Sequence, residues 1–280
     1  MKVLPFKIPK PHSDAIVYQE DHELVFYDKY HQHEEIQVSC IVQGEGTLIV
    51  GDTINYYKKG DIIVIGSNLP HVFKSDPIIQ SKSLMRSLFF TRRSFGDRFF
   101  DIEELRDLNH FFKRAENGFM KVSNTAKLKS LFSQIKESSK FDRFLMLMQI
   151  LKLLSKSNYV TLSTYVYEKK YSDVEGKRIR DVMEYTMNNY HKNISLNNVA
   201  QIAAMTKNAF CKYFKKRTNK TYFQFLNALR VEMACKLFIQ NSELSVTEVA
   251  EKCGFNNISN FNRQFRSIKK MTPSSYKQIK

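Results

Sequence analysis

The chain lacks what would tie it to a membrane or to an oxidising compartment. No run of about 18 apolar residues occurs, so no membrane-spanning helix and no membrane partner are expected. The opening stretch MKVLPFKIPKPHSD has neither a long apolar core nor a small-residue cleavage site, and so does not read as a secretory signal. Cysteines are few. Cys40, Cys211, Cys235 and Cys253 are scattered, with no CxxC pair. That pattern suits reduced thiols in a cytoplasm and argues against a disulfide framework. Acidic residues are the other shortage, and they are short in one place. Residues 172–280 carry 8 Asp and Glu against 19 Lys and Arg, whereas the first 171 carry 20 against 25. Most of the +16 net charge therefore lies in the C-terminal third, the electrostatic footprint of a nucleic-acid partner. No constellation of acid, base and nucleophile points to catalysis, so no enzyme activity and no cofactor are expected.

Hydrophobic residues make up 42% of the chain, enough for real cores in two ordinary domains and too many for a disordered polymer. Between residues 20 and 90 the stretches ELVFYDKY, IQVSCIVQGEGTLIVG, TINYYKKGDIIVIG and HVFKSD read as short strands punctuated by glycine. Closely spaced strands of this kind predict a small β-barrel or sandwich. From about residue 97 the apolar period becomes helical. Leu128, Leu131, Phe132 and Ile135 share one face, and the run from Phe141 to Leu154 has an apolar face broad enough for a helical hairpin on the barrel or for a homodimer contact. The boundaries expected are an N-terminal domain over 1–165, a polar linker over 166–177, and a helical domain over 178–280.

The helical domain contains one unit twice. Ala200 matches Ala250, Ala204 matches Gly254, and Met205 matches Phe255. After a slip of one residue, Phe210 matches Phe261, Phe214 matches Phe265, Lys215 matches Arg266, and Thr221 matches Thr272. In the second copy Ser245 and Glu248 form a capping box, Gly254 supplies a left-handed turn, and Asn256 is placed to cap the next helix. That helix would turn Ile258, Phe261 and Phe265 inward and Ser259, Asn260, Arg263 and Arg266 outward. In the first copy Ser195 and Thr206 are the caps, Phe210 and Phe214 face inward, and Asn208, Cys211, Lys212 and Lys215 face outward. Each copy is thus a helix, a tight turn and a second helix with hydrogen-bonding and cationic residues outside, as major-groove reading requires. The stretch opened by Thr221, TYFQFLNALRVEMACKLFIQ, has no Gly or Pro and predicts one long helix that separates the copies.

Residues 178–280 resemble the AraC/XylS family of bacterial transcription regulators. Gly254-Phe255, Phe261, Phe265, Thr272-Pro273 and Tyr276 fall on the family signature. The resemblance implies seven helices, with two recognition helices entering successive major grooves of double-stranded DNA. It places base contacts on Asn208, Cys211, Lys212, Ser259, Asn260 and Arg263. Phosphate contacts are expected from Lys215, Lys216, Arg217 and Arg266. For an activator, RNA polymerase would be a further partner. Ala204 and Lys270 stand where the family usually has Gly, so about 1 kcal/mol of backbone strain is expected at each.

HQHEEIQVSCIVQGEG and GDIIVIGSNLPHVFKSD resemble the two motifs of the cupin barrel, a sensor domain that many members of that family carry. The resemblance implies an α-helix-backed, cupin-like β-barrel that holds a small-molecule effector. His31 and His33 match its HxH pair and His71 its later histidine, while Gln37 stands where metal-binding cupins have Glu. On a strand, positions 31 and 33 point to one side, so three imidazoles can converge. Without the carboxylate they read first as lining an effector pocket. The alternative is a metal-dependent enzyme or metal sensor fused to a DNA-binding domain. Oxidation of Cys211 or Cys253 is a third possibility.

Overall fold

The computed structural model describes residues 14–24, 26–76, 82–166 and 173–279. They fall into two compact units, residues 1–176 and 177–280.

The strands of the first unit are β1 (Val17–Glu23), β2 (Ile36–Gln43), β3 (Gly46–Val50), β4 (Thr53–Tyr57), β5 (Ile62–Ile65), β6 (His71–Ser75), β7 (Ser83–Phe90), β8 (Phe119–Lys121) and β9 (Val160–Thr161). Its helices are α1 (Asn109–Ala115), α2 (Ala126–Gln134) and α3 (Lys140–Ser155). Every strand pairing is antiparallel. Among the described residues the strands form two sheets, the sandwich alternative of the sequence reading, and not one closed barrel. They form a six-stranded sheet, ordered β1-β7-β2-β5-β8-β9, and a three-stranded sheet, β4-β3-β6. Of the stretch ELVFYDKY, Glu23 ends β1, residue 25 lies outside the described residues, and 26–30 form no strand; His31 then pairs with His71 through two backbone hydrogen bonds of 3.0 and 2.8 Å.

Alternation along β2 explains why a sheet forms here. Ile36, Val38 and Cys40 face one side, where they share a core with Leu88 and Phe90 of β7 and with the buried faces of α1, α2 and α3. Gln37, Ser39 and Ile41 face the other side, and they too are buried. Both faces of β2 are therefore covered. Phe141 and Leu145 of α3 stay exposed, at 69% and 42%. Arg114 donates to the carbonyls of Leu154, Ser155 and Ser157 at 2.9–3.3 Å, which satisfies the orphan acceptors at the end of α3 with a cation at its negative pole. The segment after β9 is tied to the β3–β4 turn. Asp52 accepts from Ser163 Oγ and Thr164 N, each at 2.9 Å, and also from Thr164 Oγ1, while Asn117 Nδ2 donates 3.0 Å to Ser163 O.

The second unit is helical: α4 (Asp173–Asn189), α5 (Leu196–Ile202), α6 (Lys207–Thr218), α7 (Tyr222–Gln240), α8 (Val246–Lys252), α9 (Ile258–Lys269) and α10 (Pro273–Ile279). α4 opens inside the stretch read as linker, and residues 167–172 of that stretch lie outside the described residues. Two small cores are built along α7. Tyr222 and Phe225 on its first half meet Phe210 and Phe214. Val231, Ala234 and Phe238 on its second half meet Phe255, Phe261 and Phe265.

Candidate nucleic-acid interface and effector pocket

The two turns close in the same way. Met205 N donates to Ala200 O at 2.9 Å, and Phe255 N donates to Ala250 O at 3.0 Å. Each bond requires a left-handed residue just before its donor. Gly254 adopts it at φ 84°, and Ala204 adopts it at φ 51°, in the strained region anticipated for the missing glycine. Lys270 does the same at φ 60° where α9 ends. The caps are side chains. Ser195 Oγ accepts from Asn198 N at 3.2 Å, Thr206 Oγ1 from Ala209 N at 3.3 Å, and Ser245 forms its capping box with Glu248.

One cap differs from the sequence reading. Asn257, not Asn256, caps α9, and its Oδ1 accepts from Asn260 N at 3.0 Å. Both asparagines satisfy the local chemistry, and the extra residue of the second turn is spent before the cap. The shift also takes Ile258 out of the core: it begins α9 at 38% exposed, leaving Phe261 and Phe265 as the inner face.

On α6, Asn208, Cys211, Lys212 and Lys215 are exposed at spacings of three, one and three, a single stripe opposite Phe210 and Phe214. On α9, Ser259, Arg263 and Arg266 are exposed and Asn260 is partly so. Arg263 Nη2 donates 2.9 Å to Asn260 Oδ1, which brings the two candidate base readers into one patch. Arg217 is not part of either surface. It is buried, with its guanidinium 5.5 Å from the Tyr213 ring centroid, so its expected phosphate contact is withdrawn. Lys215 and Lys216 remain exposed at that end of α6. Burial pushes the Cys253 thiol up to about 12 and Cys235 up to about 11, so neither holds an appreciable thiolate fraction at neutral pH. Cys211 is exposed.

In the first unit the structure brings His31, His33, Gln37 and His71 together between the two sheets. The His31–His71 ring centroids are 4.3 Å apart, and those of His33 and His71 5.0 Å. Each imidazole is pinned at the same nitrogen. Nδ1 of His31 meets Lys29 O at 2.7 Å, Nδ1 of His33 meets Glu35 O at 2.8 Å, and Nδ1 of His71 meets Leu69 O at 2.8 Å. A carbonyl only accepts, so each Nδ1 carries a proton, and a ring that is neutral then has its lone pair on Nε2. Gln37 Oε1 lies 3.1 Å from His33 Nε2, a hydrogen bond only where that nitrogen also carries a proton, and Gln37 Nε2 donates 2.8 Å to Ser39 Oγ. One ring nitrogen from each histidine lies within 4.8 Å of the other two, and all three residues are buried. Tetrahedral zinc would need these nitrogens about 3.3 Å apart, a small inward movement. The donor set therefore fits a divalent cation, with the Gln37 amide rather than a carboxylate beside it. Tyr27 packs edge-on against His31 at 5.0 Å and is 37% exposed, whereas Tyr30 and Phe73 are buried.

A helix-turn-helix domain family matches residues 199–279, which covers both turns. The uncharacterized HTH-type transcriptional regulator YdeC of Bacillus subtilis is 30% identical over 106 residues, 38% of this chain and 36% of that protein. An uncharacterized HTH-type transcriptional regulator of Staphylococcus aureus strain COL is 21% identical over 242 residues, 86% of this chain and 31% of its own length. The chain thus spans about a third of the length of these curated relatives. Among solved structures, the DNA-binding domain of AdpA in complex with a target DNA matches 37% of this chain and 92% of its own, at 26% identity and a TM-score of 0.35. Two capped turns at matching positions, each followed by an exposed polar helix face, thus lie within the stretch that matches the helix-turn-helix domain family.

Proposed function

We propose that the chain is a sequence-specific DNA-binding transcription regulator whose first unit, a cupin-like domain, binds a small-molecule effector. The observation that carries this is the pair of identically closed turns, each presenting one exposed stripe of polar and basic residues in the basic third of the chain. Asn208, Cys211 and Lys212 on α6, with Ser259, Asn260 and Arg263 on α9, would meet base edges in two successive major grooves. Lys215 and Arg266 would meet phosphate. The Cys211 thiol is a weak hydrogen-bonder, so α9 would discriminate more sharply than α6. Effector binding among His31, His33, Gln37 and His71 would shift the balance between arrangements that bind DNA and those that do not. A homodimer through α3, and RNA polymerase for an activator, are the partners this reading adds.

Selection of bound sequences from random duplex DNA tests the reading, and recovery of no preferred sequence refutes it. On the selected site, Arg263→Ala is expected to cost about 1–3 kcal/mol and to relax preference at one base pair. Equal weakening on random DNA would remove Arg263 from base readout. Lys215→Ala is expected to weaken binding on any sequence and to lower the salt slope by about 1, as one phosphate contact is lost. An unchanged slope in a salt titration would exclude that contact.

A second reading of the pocket is favoured by the common pinning of three imidazoles at Nδ1, an arrangement that orients histidines toward a metal. On it, the effector is itself a divalent ion. Imidazole suits zinc, iron, nickel or copper, and stoichiometric metal in the purified chain distinguishes this reading from an organic effector.

A further inference from the structure

Each half of the C-terminal unit has its own small core, and both are built along α7. A helix fixes the distance between bodies packed along it. It fixes their rotation about its axis only as firmly as each small core grips. Leu229 lies on the near side of this junction, Val231 on the far side, and Arg230 between them.

Arg230 reaches both halves. Its Nε donates 2.8 Å to Tyr190 O, and its Nη2 donates 2.8 Å to Lys192 O, in the connection between α4 and α5. The same guanidinium lies 5.6 Å from the Phe255 ring centroid, in the second turn. Gly254 meets that connection directly: a Cβ there would stand 2.6 Å from Tyr190 O and 2.9 Å from His191 O. The lead into the first helix-turn-helix and the turn of the second are therefore in contact, and Arg230 pins the contact from one side. Burial draws its pKa below the usual guanidinium range, which marks how far it has left water. The planar fork serves two carbonyls while its face lies over a ring, and a lysine ammonium cannot do both.

We propose that Arg230 is a positioning residue that fixes the rotation of α9 relative to α6, and through it the half-site spacing the chain accepts on DNA. This rests on the DNA-binding reading above. One inserted base pair turns a half-site by about 35°, so a rigid pair of helices rejects it while a pair free to swivel follows it.

The test uses the full chain and a site selected from random duplex DNA, with versions carrying one base pair more or fewer between the half-sites. The wild type is expected to lose at least about tenfold in affinity on either change. Arg230→Ala is expected to lose less than about threefold, because its halves can readjust, while binding the selected site more weakly. Arg230→Lys, which keeps the charge without the fork, should fall between them and carries the test where the alanine variant does not fold. A spacing penalty in both variants equal to that of the wild type overturns the proposal, as does a wild type indifferent to spacing. A chain that selects no sequence overturns the DNA-binding reading itself, and this inference with it.

Discussion

Gly254→Ala is expected to destabilise the C-terminal unit by about 2–5 kcal/mol and to abolish preference for any DNA sequence, whereas Ala204→Gly changes stability by less than about 1 kcal/mol. The two positions are equivalent in the repeat, and both are left-handed, at φ 84° and 51°. An L-residue in that region costs about 1–2 kcal/mol. What separates the sites is the neighbour. A Cβ on Gly254 would meet backbone, Tyr190 O at 2.6 Å with His191 C and O at 2.9 Å, and backbone cannot turn aside as a side chain can. Forced overpacking of this kind adds about 1–3 kcal/mol. Ala204 already carries its methyl group and is exposed, so removing it relieves strain but frees the unfolded chain, and the two nearly cancel. Urea unfolding of both variants measures the difference. A Gly254→Ala protein as stable as the wild type would mean that the second turn does not dock on the connection after α4.

This contrast shows what was legible in the sequence. Caps and turns are local chemistry, so Ser195, Thr206, Thr221 and the Ser245–Glu248 box could be read without a fold, and the structure places each at a helix start. The left-handed strain at Ala204 and Lys270 followed from the same reasoning. Where two adjacent residues offered equal chemistry, local reasoning chose wrongly, as with Asn256 and Asn257. Arg217 was misread for a related reason. Its neighbours Lys215 and Lys216 are exposed, but it points over Tyr213 and is buried. The signal for Arg230 in the sequence is one arginine between Leu229 and Val231 in a long apolar helix, and its two carbonyl partners belong to a connection forty residues away.

The first unit was legible where alternation is strong, over β2 to β6. β8 and β9 were not, because strands of three and two residues exist only by adding to an edge already formed by β5. The same limit applied to the pocket. The strand expected at His31 and His33 does not form: His31 makes an isolated bridge, His33 lies before β2, and their meeting with His71 depends on a pairing between segments forty residues apart. The common pinning of the three Nδ1 atoms is a product of backbone carbonyls, which no residue pattern announces.

That pinning makes zinc the most informative ligand to add. At about one hundred times its Kd, zinc is expected to stabilise the first unit by about 2.7 kcal/mol, raising its melting temperature by about 5–10 °C. The expectation rests on preorganisation. Three nitrogens already lie within 4.8 Å of one another in a buried setting, and each ring is held by a backbone carbonyl at Nδ1, so little ordering remains to be done on binding. His71→Ala removes one of three donors and should abolish the shift. Gln37→Glu, which places an anionic ligand beside His33, should enlarge it, since a carboxylate binds zinc and an amide hardly does. Acidification should erase the shift in the wild type, because protons compete for the same lone pairs. Melting curves with and without zinc, read on all three proteins, decide between the readings of the pocket. A wild type that does not respond, or a His71→Ala protein that responds as strongly, leaves these histidines to an organic effector.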